Sequence, residues 1–250
     1  MSEFQAYAAY YDIINQRKDY ERECVYVSRL LRLNNSEVNN ILELGCGTGQ
    51  HAKLLCKSGY NVTGVDKSKA MLESAINSDC FTAIEGDARC IRLNKTFDAV
   101  IALFHVFSYM VSNDDVQNFL ITANKHLKVG GTLMFDYWYL PAVLLQRPSN
   151  RILEVENSKF KVVRVSESKL NDESNSVLVD FKIFLEDKLV GSVTPIKERH
   201  VMRYFSLPEI QAFATVTGFE LVQSNEFLSD SSPSSNSWGA CSLLKKVKEL

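Results

Sequence analysis

Residues 41–49 read Ile41-Leu42-Glu43-Leu44-Gly45-Cys46-Gly47-Thr48-Gly49, a short apolar strand running into three glycines at alternate positions. A helix is expected to follow over His51–Ser58, ended by Gly59. Glycines let the chain turn sharply and bring backbone N–H groups close to a ligand. Strand, glycine loop and helix in this order open a nucleotide-binding βαβ unit. Two details narrow the ligand. A dinucleotide fingerprint reads GxGxxG, but here the third glycine comes one residue early and Gln50 stands in its place. An acid, Glu43, also lies inside the strand two positions before the first glycine.

The alternation continues outward from this loop. Strands are expected at Ile41–Leu44, Asn61–Val65, Phe81–Ile84, Phe97–Phe104 and Thr132–Tyr137. Helices are expected at Lys69–Ile76 and at Asp115–Leu127, the second closed by Gly130-Gly131. Such spacing argues for right-handed βαβ units and a parallel sheet covered on both faces. Upstream, Tyr11, Ile14, Tyr20, Cys24, Val27, Leu30 and Leu31 follow a helical period across residues 8–32, which Asn34-Asn35-Ser36 breaks.

The character changes after Pro141. Arg151–Val155, Lys159–Ser166, Ser176–Leu185, Lys188–Val193 and Glu198–Tyr204 read as antiparallel strands, with Asn171-Asp172 and Glu186-Asp187 as turn formers. Ser206–Gly218 reads as a helix: Ser206 caps, Glu209 follows as in a capping box, and Pro208 sits in the first turn. Phe219–Phe227 and Trp238–Leu244 read as final strands around the serine-rich loop Ser229–Ser237.

Composition excludes several classes. In 250 residues, 46% are apolar and 23% charged, which suits a globular chain with a sizeable core. A net charge of −2 without a clustered basic face gives no reason to expect nucleic acid. Lys245, Lys246 and Lys248 read as a solvated tail. No apolar stretch reaches the roughly 18 residues of a membrane helix. The first residues lack a basic segment followed by an apolar run. No membrane partner is expected, and the expected location is cytoplasmic. The six cysteines (Cys24, Cys46, Cys56, Cys80, Cys90, Cys241) form no CxxC pair and read as free thiols, with no metal site expected.

Further motifs follow the glycine loop in order. Asp66 ends the second strand 21 residues after Gly45, where a carboxylate can accept both ribose hydroxyls. Capping the helix that starts near Lys69 is its structural alternative. Gly86-Asp87-Ala88 follows the third strand, Phe97-Asp98-Ala99-Val100-Ile101 leads into the fourth, and Leu127-Lys128-Val129-Gly130-Gly131-Thr132 precedes the fifth. The last glycine pair suits a helix end.

With ExGxGxG at 43–49, this set resembles the class I S-adenosylmethionine-dependent methyltransferases. The resemblance implies an α/β fold: a Rossmann-like, doubly wound, mostly parallel seven-stranded sheet with an N-terminal helical lid and an antiparallel β extension. Residues 1–140 are expected to form the cofactor-binding core and lid, 141–205 the extension, and 206–250 the helix and strands that complete the sheet. The implied cofactor is S-adenosylmethionine. Glu43, Gly45, Cys46, Gly47 and Gly49 would cradle it, Asp66 would hold its ribose, and Asp87 and Ala88 its adenine, with Lys67 and Met71 also in contact with the cofactor. Leu103 and Phe104 complete the cofactor set, and Asp98 is expected to be structural.

Tyr11-Asp12-Ile13 and Lys18-Asp19-Tyr20 resemble the lid helix of small-molecule methyltransferases. By that resemblance Tyr11 and Tyr20 hydrogen-bond the methionine carboxylate region; packing on a helix face is the alternative. On the acceptor side, His105 is a candidate general base or a hydrogen-bonding partner near the methionine end. Tyr109 is a candidate to hydrogen-bond the acceptor, or else to pack. Asp136, Trp138 and Tyr139, at the end of the fifth strand, are substrate-contact candidates, because strand carboxyl ends form the ligand crevice.

The whole layout most resembles the N-methyltransferases of nucleotide-linked amino sugars, which act on a 3-amino group in desosamine and mycaminose assembly. Its carriers are the YD…KDY lid, the run at 104–109, the Asp136–Pro141 turn and the stretch at 151–205. It implies a small-molecule acceptor and a homodimer through the extension. O- or N-methylation of another metabolite, or a non-catalytic cofactor-binding module, are the alternatives.

Overall fold

The structure is a computed structural model that describes residues 10–11, 13–75 and 77–250. Apolar residues on both sides of each central strand are what place those strands in the middle. β1 (Asn40–Leu44), β2 (Asn61–Asp66), β3 (Phe81–Glu85), β4 (Phe97–Ala102) and β5 (Leu127–Tyr139) pair in parallel. All six residues of β4 are buried. Side chains alternate across the sheet. Leu42, Leu44, Val100, Ala102, Leu133 and Phe135 enter one core, while Ile41, Ala99, Ile101 and Met134 enter the other.

Helices α1 (Tyr20–Asn34), α2 (Gln50–Lys57), α3 (Lys69–Ser74) and α4 (Asn113–His126) connect and cover these strands. β10 (Phe219–Glu226) and β11 (Gly239–Lys246) finish the sheet, in the order β3-β2-β1-β4-β5-β11-β10, with β11 antiparallel to both neighbours. This is the expected seven-stranded Rossmann-like sheet.

The extension is a four-stranded antiparallel sheet of β6 (Arg151–Glu156), β7 (Phe160–Asn171), β8 (Ser176–Asp187) and β9 (Ser192–Phe205). It joins the core through two residue pairs, Trp138↔Tyr204 and Tyr139↔Phe205. α5 (Leu140–Gln146) precedes it and α6 (Leu207–Val216) follows. Tyr10 and Ile13 are buried against Val162, Ile183 and Leu185 of the extension. The N-terminal segment therefore rests on the extension as well as on the core.

Several local expectations are corrected. The helix expected over 8–32 is broken: Tyr11, Ile13 and Ile14 are helical, residues 15–19 are not, and α1 starts anew where Asp19 accepts from the Arg22 N–H at 2.9 Å. Residues 8, 9, Asp12 and Ile76 lie outside the described residues. Lys188–Val193 is largely a turn between two long strands. There Asp187 Oδ1 accepts from the Leu189 N–H at 2.9 Å, and Gly191 takes a φ of +70° that its missing Cβ permits. α5 occupies a stretch with no helix expected.

Gly130 and Gly131 do not end α4. They lie in β5, where the pairing with β4 jumps from Phe97↔Leu127 to Ala99↔Thr132, a bulge. Ser206 caps α6, but the Glu209 carboxylate turns to Arg203 instead of closing the capping box. Among the described residues no helix is long and apolar enough to cross a membrane.

Lys246 is no solvated tail. It is buried, and its Nζ donates to Asn124 O at 2.9 Å and Leu127 O at 2.8 Å, satisfying carbonyls at the end of α4. Lys246→Met keeps the stem but leaves these carbonyls unpaired. A loss of about 1–3 kcal/mol is expected, read as a lower urea midpoint with unchanged slope.

Candidate active site

The strand order reverses between β1 and β4, and the carboxyl ends of these strands form the crevice. The loop after β1 explains its own glycines. A Cβ on Gly45 would come within 2.4 Å of Val106 Cγ2, and one on Gly49 within 2.7 Å of the Phe81 ring. Gly47 differs: a Cβ there would meet nothing within 4 Å, so its side faces open space. Its N–H donates to Asp66 Oδ2 at 2.8 Å, while Asp66 Oδ1 accepts from the Ser68 N–H at 2.8 Å. Asp66 therefore ties the glycine loop to the start of α3. The cap of α3 is Ser68, whose hydroxyl accepts from the Met71 N–H.

Glu43 faces the helix-covered side of β1, only 1% exposed, and neither carboxylate oxygen accepts a hydrogen bond from the described residues. Burial, with the charge of Asp66 nearby, pushes its carboxyl up to about 8 against the pull of Lys18. His51 of α2 stands between two acids, with Nδ1 3.6 Å from Glu43 and Nε2 2.7 Å from Glu23 of α1. Glu23 also pairs with Lys18. Burial would raise the Glu23 carboxyl, but the hydrogen bonds from His51 and Lys18 hold it below its ordinary value.

The Lys18 ammonium lies over the rings of Phe104 and Tyr20, 4.3 and 4.6 Å from their centroids. Tyr11 meets the edge of Phe104 at 6.5 Å. One cleft is thus lined by Tyr11, Tyr20, Gly45, Cys46, Gly47, Thr48, Gln50, His51, Leu103 and Phe104.

β4 ends at Ala102, earlier than expected, because Phe104 and His105 both adopt left-handed backbone, with φ of +64° and +63°. Non-glycine residues take that region at a cost. Asp136 of β5 holds the turn: Oδ1 accepts from the His105 N–H at 3.0 Å, and Oδ2 lies 2.9 Å from His105 Nδ1. Burial would raise the Asp136 carboxyl, but the nearby His105 ring and the hydrogen bond from the His105 N–H keep it low. Its oxygens face His105, an arrangement that orients that ring.

Trp138 packs edge-on to His105 and Trp238. Tyr139 is folded into the main core. The 3₁₀ turn Val106–Tyr109 carries Tyr109, whose OH lies 2.8 Å from His200 Nδ1 of β9.

At the other end of the crevice, the Gly86 N–H donates to Asp66 O at 3.0 Å and sets Gly86-Asp87-Ala88 beside Asp66. Asp87 is gripped by Arg89, whose hydrogen bonds draw its carboxyl below the usual range, and Arg89 also reaches Asp115. Lys67 is exposed and Met71 buried. Asp98 accepts from the N–H groups of Asn39 and Asn40 and from Lys128, as a structural residue would.

The cleft thus brings together Tyr11, Tyr20, Gly45, Cys46, Gly47, Leu103 and Phe104 from the sequence-derived set. Glu43 lies behind it, and Asp66 with Asp87 lies along it. Glu23, His51, Arg89, Glu198 and His200 carried no signal, because each has a partner 26 or more residues away: His51 for Glu23, Asp115 for Arg89, Tyr10 for Glu198 and Tyr109 for His200; Lys18 stood in the lid motif without a role. Among the described residues no group of His, Cys, Asp and Glu is arranged to hold a metal.

A sheet of this order, a glycine loop backed by an acid and a second acid ending β2 are the arrangement expected of a class I S-adenosylmethionine-dependent methyltransferase, and residues 41–131 match the family described as a methyltransferase domain. The chain is similar to the dTDP-3-amino-3,4,6-trideoxy-alpha-D-glucopyranose N,N-dimethyltransferase of Streptomyces venezuelae, at 25% identity over 86% of this chain and 90% of that enzyme. Among solved structures, Streptomyces venezuelae DesVI aligns with a TM-score of 0.79 at 22% identity, covering 98% of each chain. A S-adenosylmethionine-dependent methyltransferase from Clostridium acetobutylicum aligns with 0.81 at 21% identity, covering 96% of this chain and 97% of that one.

Glu43 takes up its proton more readily in the folded protein than unfolded. Its contribution to stability is therefore complete below the ordinary carboxylate range and is lost as pH rises toward 8. Glu43→Gln removes this dependence. Relative to the parent, the ligand-free variant should gain on the order of 2 kcal/mol between pH 5 and pH 8.5, measured by urea unfolding at both pH values.

Proposed function

We propose that this protein transfers methyl groups from S-adenosylmethionine to the amino group of a nucleotide-linked deoxy amino sugar. The observation that carries this acceptor is the extent of the likeness to the amino-sugar dimethyltransferase. It runs over 218 residues, so it takes in the extension as well as the cofactor-binding core.

The site fits the cofactor in its donor chemistry. Glu43 offers a buried carboxylate without a hydrogen-bonding partner among the described residues, suited to a cationic amino-acid end. Tyr11 and Tyr20 would hold the carboxylate end, Asp66 the ribose hydroxyls, and Asp87 with Ala88 the adenine. When bound, S-adenosylmethionine supplies an electrophilic methyl on a positively charged sulfur.

The chain's own contribution is alignment and dryness. Leu103 and Phe104 wall the cleft, Asp136 fixes His105 beside it, and Tyr109 stands one short turn away to hold the acceptor nitrogen. An amine that binds neutral needs placement more than activation, which this set supplies.

We also place the enzyme in the cytoplasm as a homodimer that pairs through the extension. Phe184, Leu189, Val190 and Val193 are exposed apolar side chains on that hairpin, and a second copy would cover them. Size-exclusion chromatography with light scattering should give twice the chain mass at micromolar concentration; the mass of one chain would sink the dimer.

The decisive test of the acceptor is mass spectrometry of nucleotide-linked amino sugars incubated with enzyme and cofactor. One or two added methyl groups are expected on an amino sugar. Isothermal titration should meanwhile show micromolar S-adenosylmethionine binding and no response to NAD. Binding without methylation of any amino sugar would move the acceptor to another metabolite.

A further inference from the structure

Four side chains from three distant parts of the sequence meet in one hydrogen-bonded cluster. Tyr109, on the turn after β4, lies with its OH 2.8 Å from His200 Nδ1. His200 Nε2 is 3.0 Å from Glu198 Oε2, and the Tyr10 hydroxyl donates to Glu198 Oε1 at 2.6 Å. Glu198 and His200 sit two apart on β9, so both project from the same face of the extension. The adjacent Arg199 points to the other face, where it pairs with Asp180.

The group is built into the fold. The side chains of His200 and Glu198 are 22% and 13% exposed, and Phe181 of β8 meets the histidine ring edge-on at 5.2 Å. Arg164 of β7 lies over Phe181 and adds its charge beside Tyr10 and Glu198. Tyr109 itself is 40% exposed and follows Phe104 of the cleft by five residues. Tyr10 and Tyr11 are neighbours on the lid, one on Glu198 and the other on Phe104 of the cofactor cleft. The cluster therefore borders the place where a methyl acceptor would sit.

We propose that Tyr109, His200 and Glu198 form a proton-accepting relay for the acceptor amine, with the base supplied by the extension. This rests on the amine acceptor proposed above. A carboxylate only accepts, so Glu198 takes the Nε2–H and leaves the Nδ1 lone pair to the Tyr109 O–H. An amine that has gained a methyl group is an ammonium and cannot react again until it loses a proton. Its N–H bond breaks with the electron pair staying on nitrogen, and the proton passes to the Tyr109 oxygen. The Tyr109 proton moves to His200 Nδ1, and Glu198 stabilises the resulting imidazolium. Solvent then takes that proton. Tyr109 touches the acceptor; His200 and Glu198 act through it as positioning residues.

His200→Gln and Glu198→Gln test this in the full-length enzyme. With saturating cofactor and an amino-sugar acceptor, kcat for the second methylation should fall by about 10²-fold in His200→Gln, with acceptor KM little changed. Monomethylated product should accumulate, and the deficit should shrink as pH rises and solvent takes over deprotonation. A deficit equal at every pH, or one confined to KM, would overturn the relay. A second measurement needs no turnover: ¹⁵N NMR of the His200 ring in the free enzyme. Tyr109→Phe should shift Nδ1, and Glu198→Gln should move the ring's titration to lower pH. A ring indifferent to both substitutions overturns the relay whatever the acceptor. A coupled ring in an enzyme that methylates no amine overturns the acceptor reading, and the relay's proton-accepting role with it.

Discussion

Thirteen residues of β5 have to satisfy three neighbouring strands at once, and most of the molecule follows from that. β4 pairs in parallel on one side and β11 antiparallel on the other. At its last two residues β5 also turns to β9 and so carries the extension. A strand shared in this way cannot change register without shifting both sheets. The bulge at 128–131 and Gly131 are part of the same constraint, since a Cβ there would lie 2.9 Å from Lys128 O and 3.0 Å from Asp98 O. Asp136 rides on this strand, so the position of His105 is inherited from the core.

Three buried acids show how differently one fold treats a carboxylate. Asp136 is held low by His105, and Glu23 by His51 and Lys18, so both stay charged despite burial. Glu43 lacks such a hydrogen bond and is pushed the other way. A buried charge is costly unless it is paired. The acid with the incomplete set is the one behind the glycine loop, where the proposed function seats the cationic end of the cofactor. The left-handed pair Phe104-His105 follows the same logic: its cost is offset by the hydrogen bond to Asp136.

The extension is tied to both the N-terminal segment and the turn after β4. It packs the N-terminal segment through Tyr10 and Ile13, and it brings Glu198 and His200 to Tyr109. Arg203 at the end of β9 then locks it to the core, with donors to Val111 O, Asn113 and Glu209. The N-terminal segment, the turn after β4 and the core are joined by side chains that are far apart along the chain.

The sequence by itself determined the parallel core and its ligand class. Those rest on local rules: apolar runs, glycines that admit close backbone approach, and acids at strand ends, all within short spans. Element boundaries failed where a single side chain changed the outcome, as with Asp19 restarting a helix and Asp187 closing a turn, and the tail reading failed at Lys246, which reaches back to the end of α4. What only the tertiary structure decided was the pairing of distant groups: His51 with Glu23 and Glu43, Asp136 with His105, and His200 with Tyr109. No spacing encodes such pairs, because antiparallel register and the docking of one sheet on another choose the partners after the local elements have formed.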